Sequence, residues 1–315
     1  LAEGFAIGPQ SPLAGEVAEL LCECVGLERA TFCNTGSEAV MAAMRVARCV
    51  TGREKVAVFA NDYHGQFDEV LVRGRAPGQP PAALPIAPGI PAASVANMVV
   101  LPYGSDESLA YLKANMEDLA AVIVEPVQSR HPELRPYEFL RSLRAVTAEA
   151  GTALVFDEVV TGFRVHSGGM QALTGIRADM ATYGKVVGGG MPVGILAGSA
   201  QFMDALDGGQ WRFGDDSYPE VAPTFFAGTF VRHPLVLAAC KAVLLHLKAQ
   251  GPALQERLAQ RTEQLVALIN DDLRKKGVPS LLNTFSSWFM PNFGVAEPDR
   301  KSTRLNSSHP SISYA

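Results

Sequence analysis

The chain has 315 residues, 48% hydrophobic and 19% charged, a globular composition with ample apolar material for a core. Its 27 basic and 32 acidic side chains leave a formal net charge of −5, which provides no basic face for nucleic acid and is too mild to imply a partner. No apolar run reaches the roughly 18 residues a membrane span needs, and no segment has the basic start and apolar middle of a secretory leader.

The first helical pattern carries Cys22 and Cys24; Cys33, Cys49 and Cys240 follow. An odd count with no CxxC spacing argues against a disulfide framework and against a zinc site. The five read as reduced and mostly buried thiols, which favours the cytoplasm.

A short run at 30–33 leads into a helical pattern at 37–50. Strand-like runs follow at 55–59, 98–101, 121–125, 153–157 and 193–198. Each is short and rich in Val, Ile, Leu or Ala, as in strands buried on both faces. Amphipathic stretches at 107–116 and 137–150 lie between them. This alternation predicts an α/β fold with a mostly parallel sheet flanked by helices. Residues 76–91 are crowded with Pro, Gly and Ala and read as a surface loop.

After Pro234 the pattern changes to two long helices, 235–250 and 253–276, punctuated by Gly251-Pro252. The expected organisation is a large domain over 1–234 and the start of a smaller C-terminal domain over 235–298. Both ends read as trimmed. The chain opens at Leu1 inside a helix-like pattern, and 299–309 (DRKSTRLNSSH) resembles a translated sequencing adapter. Residues 299–315 are therefore set outside the fold.

Four places could carry chemistry. Asn34-Thr35-Gly36-Ser37-Glu38 opens a helix after a short strand. Free backbone N–H groups and the helix dipole there suit a phosphate, although a plain N-cap has the same form. Tyr63-His64-Gly65 follows the strand at 55–59, and Tyr63 could stack on a flat heteroaromatic ring or simply pack. The run 154–164 ends a strand in Asp157 and Glu158, where ligands of open α/β sheets bind. A desolvated carboxylate there would keep a cationic nitrogen protonated, or merely cap the next turn. Finally, Lys185 is embedded among apolar and glycine residues at 182–194. Burial would favour its neutral amine, which can form a Schiff base; a lysine reaching to the surface is the alternative.

A phosphate cup, an aromatic stacker, a strand-end carboxylate and a lysine, in that order, are the parts that pyridoxal 5′-phosphate (PLP) requires. The stretches NTGSEAV, YHG, VEPVQ, LVFDEVVTGFR, YGKVVGGGMPVG and AGTF resemble, in order, the class III aminotransferases of the fold-type I PLP-dependent superfamily. Within that class the chain is most similar to the glutamate-1-semialdehyde aminomutase-like group. The resemblance spans 1–298 and implies the PLP-binding large domain plus an incomplete C-terminal small domain. It also implies roles. Gly36 and Ser37 bind the phosphate, Tyr63 stacks on the ring, Glu125 lies beside the cofactor and Val159 packs on the other face. Asp157 pairs with the pyridine nitrogen, and Lys185 holds the aldehyde and moves the proton. Thr229 reaches the phosphate of the neighbouring subunit, which implies a homodimer.

Two departures turn the reading away from ornithine- and aminobutyrate-type members: Val160 stands where those carry Gln, and Arg130 where they carry a second Glu. The runs at 207–211, 214–219 and 226–234 resemble aminotransferase domains of polyketide and nonribosomal-peptide megasynthases. That implies transfer from an amino-acid donor to a keto acceptor, specifically a β-ketoacyl thioester on an acyl carrier protein. Intramolecular amine transfer of the aminomutase type is the alternative. An inactive fragment, poorly soluble and weak in PLP binding, is the second.

Overall fold

The computed structural model describes residues 11–76 and 78–294. Helix α1 (Pro12–Val25) starts where the Ser11 hydroxyl accepts from the Leu13 N–H at 3.3 Å, with Pro12 in the first turn, where no N–H is needed. Strand β1 (Arg29–Cys33), helix α2 (Gly36–Thr51) and strand β2 (Lys55–Phe59) follow. Strands β3 (Val72–Gly74) and β4 (Ala83–Pro85) pair antiparallel to each other, apart from the main sheet. Then come β5 (Met98–Leu101), α3 (Asp106–Asn115), β6 (Leu119–Val124), α4 (Tyr137–Ala150), β7 (Ala153–Asp157) and α5 (Gly169–Thr174). Strands β8 (Met180–Gly184) and β9 (Gly194–Gly198) and the single turn α6 (Ala200–Met203) complete the α/β part.

The seven-stranded sheet has the order β1-β9-β8-β7-β6-β2-β5. Strands β8, β7, β6, β2 and β5 run parallel, and β9 runs antiparallel to both β8 and β1. Alternate residues of one strand enter opposite cores, as the period of two requires. Ala57 and Phe59 face α1, α3, α4 and α7 (Pro234–Gln250), whereas Val56 and Val58 face α2 and α6. Leu237, Cys240 and Leu244 of α7 are fully buried in the first core. Helix α8 (Ala253–Lys275) leads to a hairpin of β10 (Ser280–Phe285) and β11 (Trp288–Phe293). Among the described residues no helix is long and apolar enough to cross a membrane.

The α/β fold and its mostly parallel sheet agree with the sequence pattern. Several local expectations need correction. Residues 76–91 are not loop throughout, because 83–85 pair with β3. Strand β8 and the terminal hairpin carry no distinctive apolar run: β8 is Met-Ala-Thr-Tyr-Gly, and β10–β11 is half-buried. The cysteines are all free, but only Cys33 and Cys240 are buried; Cys49 is exposed, and Cys22 and Cys24 are intermediate. The adapter-like residues 299–315 lie outside the described residues.

One side chain ties the lower edge of the sheet together. Arg53 donates from Nη1 to the carbonyls of Met116 (3.3 Å) and Leu119 (3.2 Å) and to Thr152 Oγ1 (2.9 Å), and from Nη2 to the Ala150 carbonyl (3.0 Å). It thereby joins the start of β6, the end of α4 and the start of β7. Lysine carries the charge without the planar fork. We expect Arg53→Ala to lower unfolding stability by about 2–3 kcal/mol. Arg53→Lys should recover less than half of that loss in a urea titration.

Candidate active site

The site assembles at the carboxyl ends of the parallel strands. Helix α2 supplies its floor. The Thr35 hydroxyl accepts from the Glu38 N–H at 3.2 Å, and Glu38 Oε2 reaches back to the Asn34 N–H at 2.7 Å. These bonds leave the N–H groups of Gly36 and Ser37 without partners among the described residues, directed from the positive end of the helix. A Cβ at Gly36 would stand 3.0 Å from both methyls of Val159, so the helix start and the turn after β7 are in close contact.

The segment after β2 lies across this helix end. Gly65 has φ +111°, and a Cβ there would fall 2.5 Å from Ser37 Oγ. Only glycine fits that approach. The Gln66 N–H donates to Ser37 Oγ at 3.2 Å. Tyr63 is 45% exposed, with its ring open to the cleft, and its backbone N–H donates to Glu125 Oε2 at 2.9 Å.

Asp157 ends β7 and is 5% exposed. Its Oδ1 accepts from the Val159 N–H (3.2 Å) and Thr182 Oγ1 (3.1 Å), and its Oδ2 lies 2.8 Å from His64 Nδ1. A carboxylate has roughly four lone-pair positions, so three bonds leave one for a cationic N–H. His64 Nε2 is in turn 3.5 Å from Asp62 Oδ2, an ionic contact rather than a hydrogen bond. Asp62 is fixed by the Glu125 N–H (3.0 Å) and by Gln128 Nε2 (2.6 Å).

The electrostatics follow from this packing. Burial disfavours a charged His64, but the two aspartates outweigh it and lift its pKa to about 10. Burial, reinforced by Asp62 and Asp157, pushes the Glu125 carboxyl up to about 8. Asp62 is also raised, by burial first, against the pull of His64. Glu158 diverges from its neighbour. It is fully buried behind the site, accepting from the Met170 N–H at 2.6 Å and Thr161 Oγ1 at 3.0 Å, and burial raises it to about 7.

Lys185 follows β8 directly, opening a 3-10 turn with φ +46°, a left-handed conformation uncommon for a side chain of this size. It is exposed to the cleft, which corrects the expectation that glycine and apolar neighbours bury it. The glycines beside it lack the side chains that could cover it. Desolvation still lowers its pKa, with Arg164 adding to the effect and Asp157 and Glu125 opposing it.

Gly36, Ser37, Tyr63, Glu125, Asp157, Val159 and Lys185 thus share one cleft. Thr229 lies on an exposed turn that passes the start of α2: a Cβ at the preceding Gly228 would stand 4.0 Å from Asn34 Nδ2. His64, Gln128 and Thr182 fall in motifs read from the sequence but were given no role there, and Asp62 lies outside those motifs. Asp62 and His64 flank Tyr63 at a spacing of two, which in extended chain places both on one side. That spacing was the available signal. Among the described residues no cluster of His, Cys, Asp and Glu has the form of a metal site.

An open, mostly parallel α/β sheet flanked by helices, with this site at its strand ends, matches the fold of fold-type I PLP-dependent transaminases. The family model for class-III aminotransferases matches residues 5–281, and the chain belongs to that family. It is 37% identical over 287 residues to glutamate-1-semialdehyde 2,1-aminomutase 2 of Brevibacillus brevis, covering 90% of this chain and 63% of that protein. An omega-transaminase from Sphaerobacter thermophilus superposes with a TM-score of 0.83 at 34% identity, over 97% of this chain and 69% of its own. A transaminase with PLP bound gives 0.79 at 32%, over 91% and 65%. The chain therefore spans less than two thirds of the length of the Brevibacillus relative.

The charged cage gives the fold a pH dependence. His64 is more basic folded than at its ordinary 6.5, so its contribution is full below about pH 6.5 and is lost as pH rises through 10. Glu125 acts in the same direction, since its ionisation is deferred to about 8. The thermal midpoint should fall from pH 6.5 to 10. His64→Gln should lower stability by about 3 kcal/mol at pH 6.5 and flatten the fall.

Proposed function

We propose that the chain is the cofactor-binding part of a PLP-dependent transaminase, which moves an amino group from an amino-acid donor to a ketone. The observation that carries this reading is Asp157. Its carboxyl is fixed by His64, Thr182 and the Val159 N–H with one acceptor position open, in the same cleft as the Lys185 amine. In this reading 1–234 form the PLP-binding domain and 235–298 open a second.

The residues present fit the cofactor. Gly36 and Ser37 would hold its phosphate through N–H groups that have no other partner among the described residues. Asp157 would pair with its ring nitrogen, Tyr63 and Val159 would flank the ring, and Glu125 would lie beside it. When bound, PLP supplies an electron sink for negative charge at the substrate carbon. The protein's part is proton placement. His64 and the Thr182 hydroxyl fix the Asp157 carboxyl, which would accept from the protonated ring nitrogen. Lys185, with its ammonium destabilised by desolvation, accepts the proton from the donor carbon and returns it across the cleft.

Thr229 fits a homodimer in which it reaches the phosphate of the neighbouring site. Its turn is exposed, and Phe213, Phe225 and Phe230 of the same segment are 98%, 76% and 56% exposed, an apolar surface suited to a second copy. A β-ketoacyl thioester on a carrier protein is the acceptor suggested by the motifs at 207–211, 214–219 and 226–234. The aminomutase reaction is the second reading, supported by the names of relatives 36–37% identical to this chain.

Reconstituted with PLP, the protein should show a visible absorption band that borohydride abolishes, with the label on Lys185. Lys185→Ala should lose the band and slow amine transfer by at least about 10²-fold. A Lys185→Ala protein that keeps the borohydride-sensitive band would overturn the assignment.

A further inference from the structure

Three buried carboxyls, from Asp62, Glu125 and Asp157, line the cleft, against His64 and Lys185 inside it. An anionic substrate group approaching that lining needs a cation at the mouth. Arg130 is placed to supply one. It is exposed, with its guanidinium carbon 5.8 Å from the centre of the Tyr63 ring. Among the described residues its head group forms no ion pair or hydrogen bond; its one recorded contact is that ring. Nearby cations are engaged. Arg135 donates to the Thr284 carbonyl at 3.1 Å, and Arg164 Nε donates to the Val160 carbonyl at 3.1 Å. The neighbouring acid, Glu133, is taken by His131 at 3.2 Å.

The base under Arg130 is rigid. Gln128 is fully buried and donates to the Ala60 carbonyl (2.8 Å) and Asp62 Oδ1 (2.6 Å). The Ser129 N–H donates to Glu125 Oε1 at 3.2 Å, and the His131 N–H closes a turn on the Gln128 carbonyl at 3.1 Å. Glu125 therefore grips the Tyr63 backbone with one oxygen and the Arg130 segment with the other. The ring and the guanidinium are two arms of one clamp. A cation held over an aromatic face keeps its in-plane N–H groups free for a planar anion.

We propose that Arg130 is a specificity-determining residue that pairs with the carboxylate of the amino donor, so that this site takes amino acids in preference to simple amines. The proposal rests on the transaminase reading for its donor and on the clamp geometry for its site.

Alanine and isopropylamine differ only in a carboxylate or a methyl group on the amine-bearing carbon. With the PLP-loaded full-length protein, the preference for alanine over isopropylamine should fall about ten- to a hundredfold in Arg130→Gln, the range of a charge-assisted hydrogen bond. The change should reside in KM rather than kcat, and Arg130→Lys should fall between. Propionate, an unreactive carboxylate, should bind the wild type in calorimetry and bind Arg130→Gln at least tenfold more weakly. A preference unchanged within twofold, or propionate binding equal in the two proteins or absent from the wild type, overturns the proposal. If neither amine reacts with the wild type yet propionate binding depends on Arg130, the carboxylate site stands and the transaminase reading fails.

Discussion

The constraint behind this site is the cost of burying a carboxyl group inside a protein. Asp157 is almost wholly removed from water, and a buried polar group without partners is expensive. Here it is held by a hydroxyl, a backbone N–H and a histidine that is itself squeezed between two aspartates. The histidine's proton is the shared counter-charge, and other features follow from protecting it. Asp62 is fixed by Gln128, and Gln128 fixes the loop that ends in Arg130. Glu125, buried and beside two further carboxyls, becomes a weak acid.

The parallel sheet makes this arrangement possible. Strands β2, β6, β7 and β8 all deliver their ends to one edge, so Asp62 and His64, Glu125, Asp157 and Lys185 converge without long loops. Two apolar layers clamp the sheet from either side, and Arg53 ties its opposite edge. The site's rigidity is thus inherited from strands that are buried on both faces.

Much of this was legible in the sequence because it rests on local pattern. Strands β2, β5 and β7 and helix α4 are continuous or periodic apolar signals, and their bounds coincide with the runs at 55–59, 98–101, 153–157 and 137–150. Strand β8 was hidden because Thr182 and Tyr183 interrupt its apolar character, and both serve tertiary bonds. The role of His64 was hidden for another reason: nothing local to 62–64 announces a partner 93 residues away. Lys185 shows the opposite failure. Its apolar and glycine neighbours suggested burial, but glycines leave a side chain uncovered.

The antiparallel strand β9 has a further consequence. It returns past β8 and lies between β8 and β1, bringing Gly194 so near the Thr35 carbonyl that a Cβ there would sit 1.9 Å away. The cap of α2 is therefore seated by a residue made far later in synthesis. A ribosome will have released α2, β2 and β6 well before β9 emerges, and contacts of such long sequence separation form late. The start of α2 is among the first parts of the site to be translated and among the last to acquire its final shape, because β9 must first close the sheet on β1.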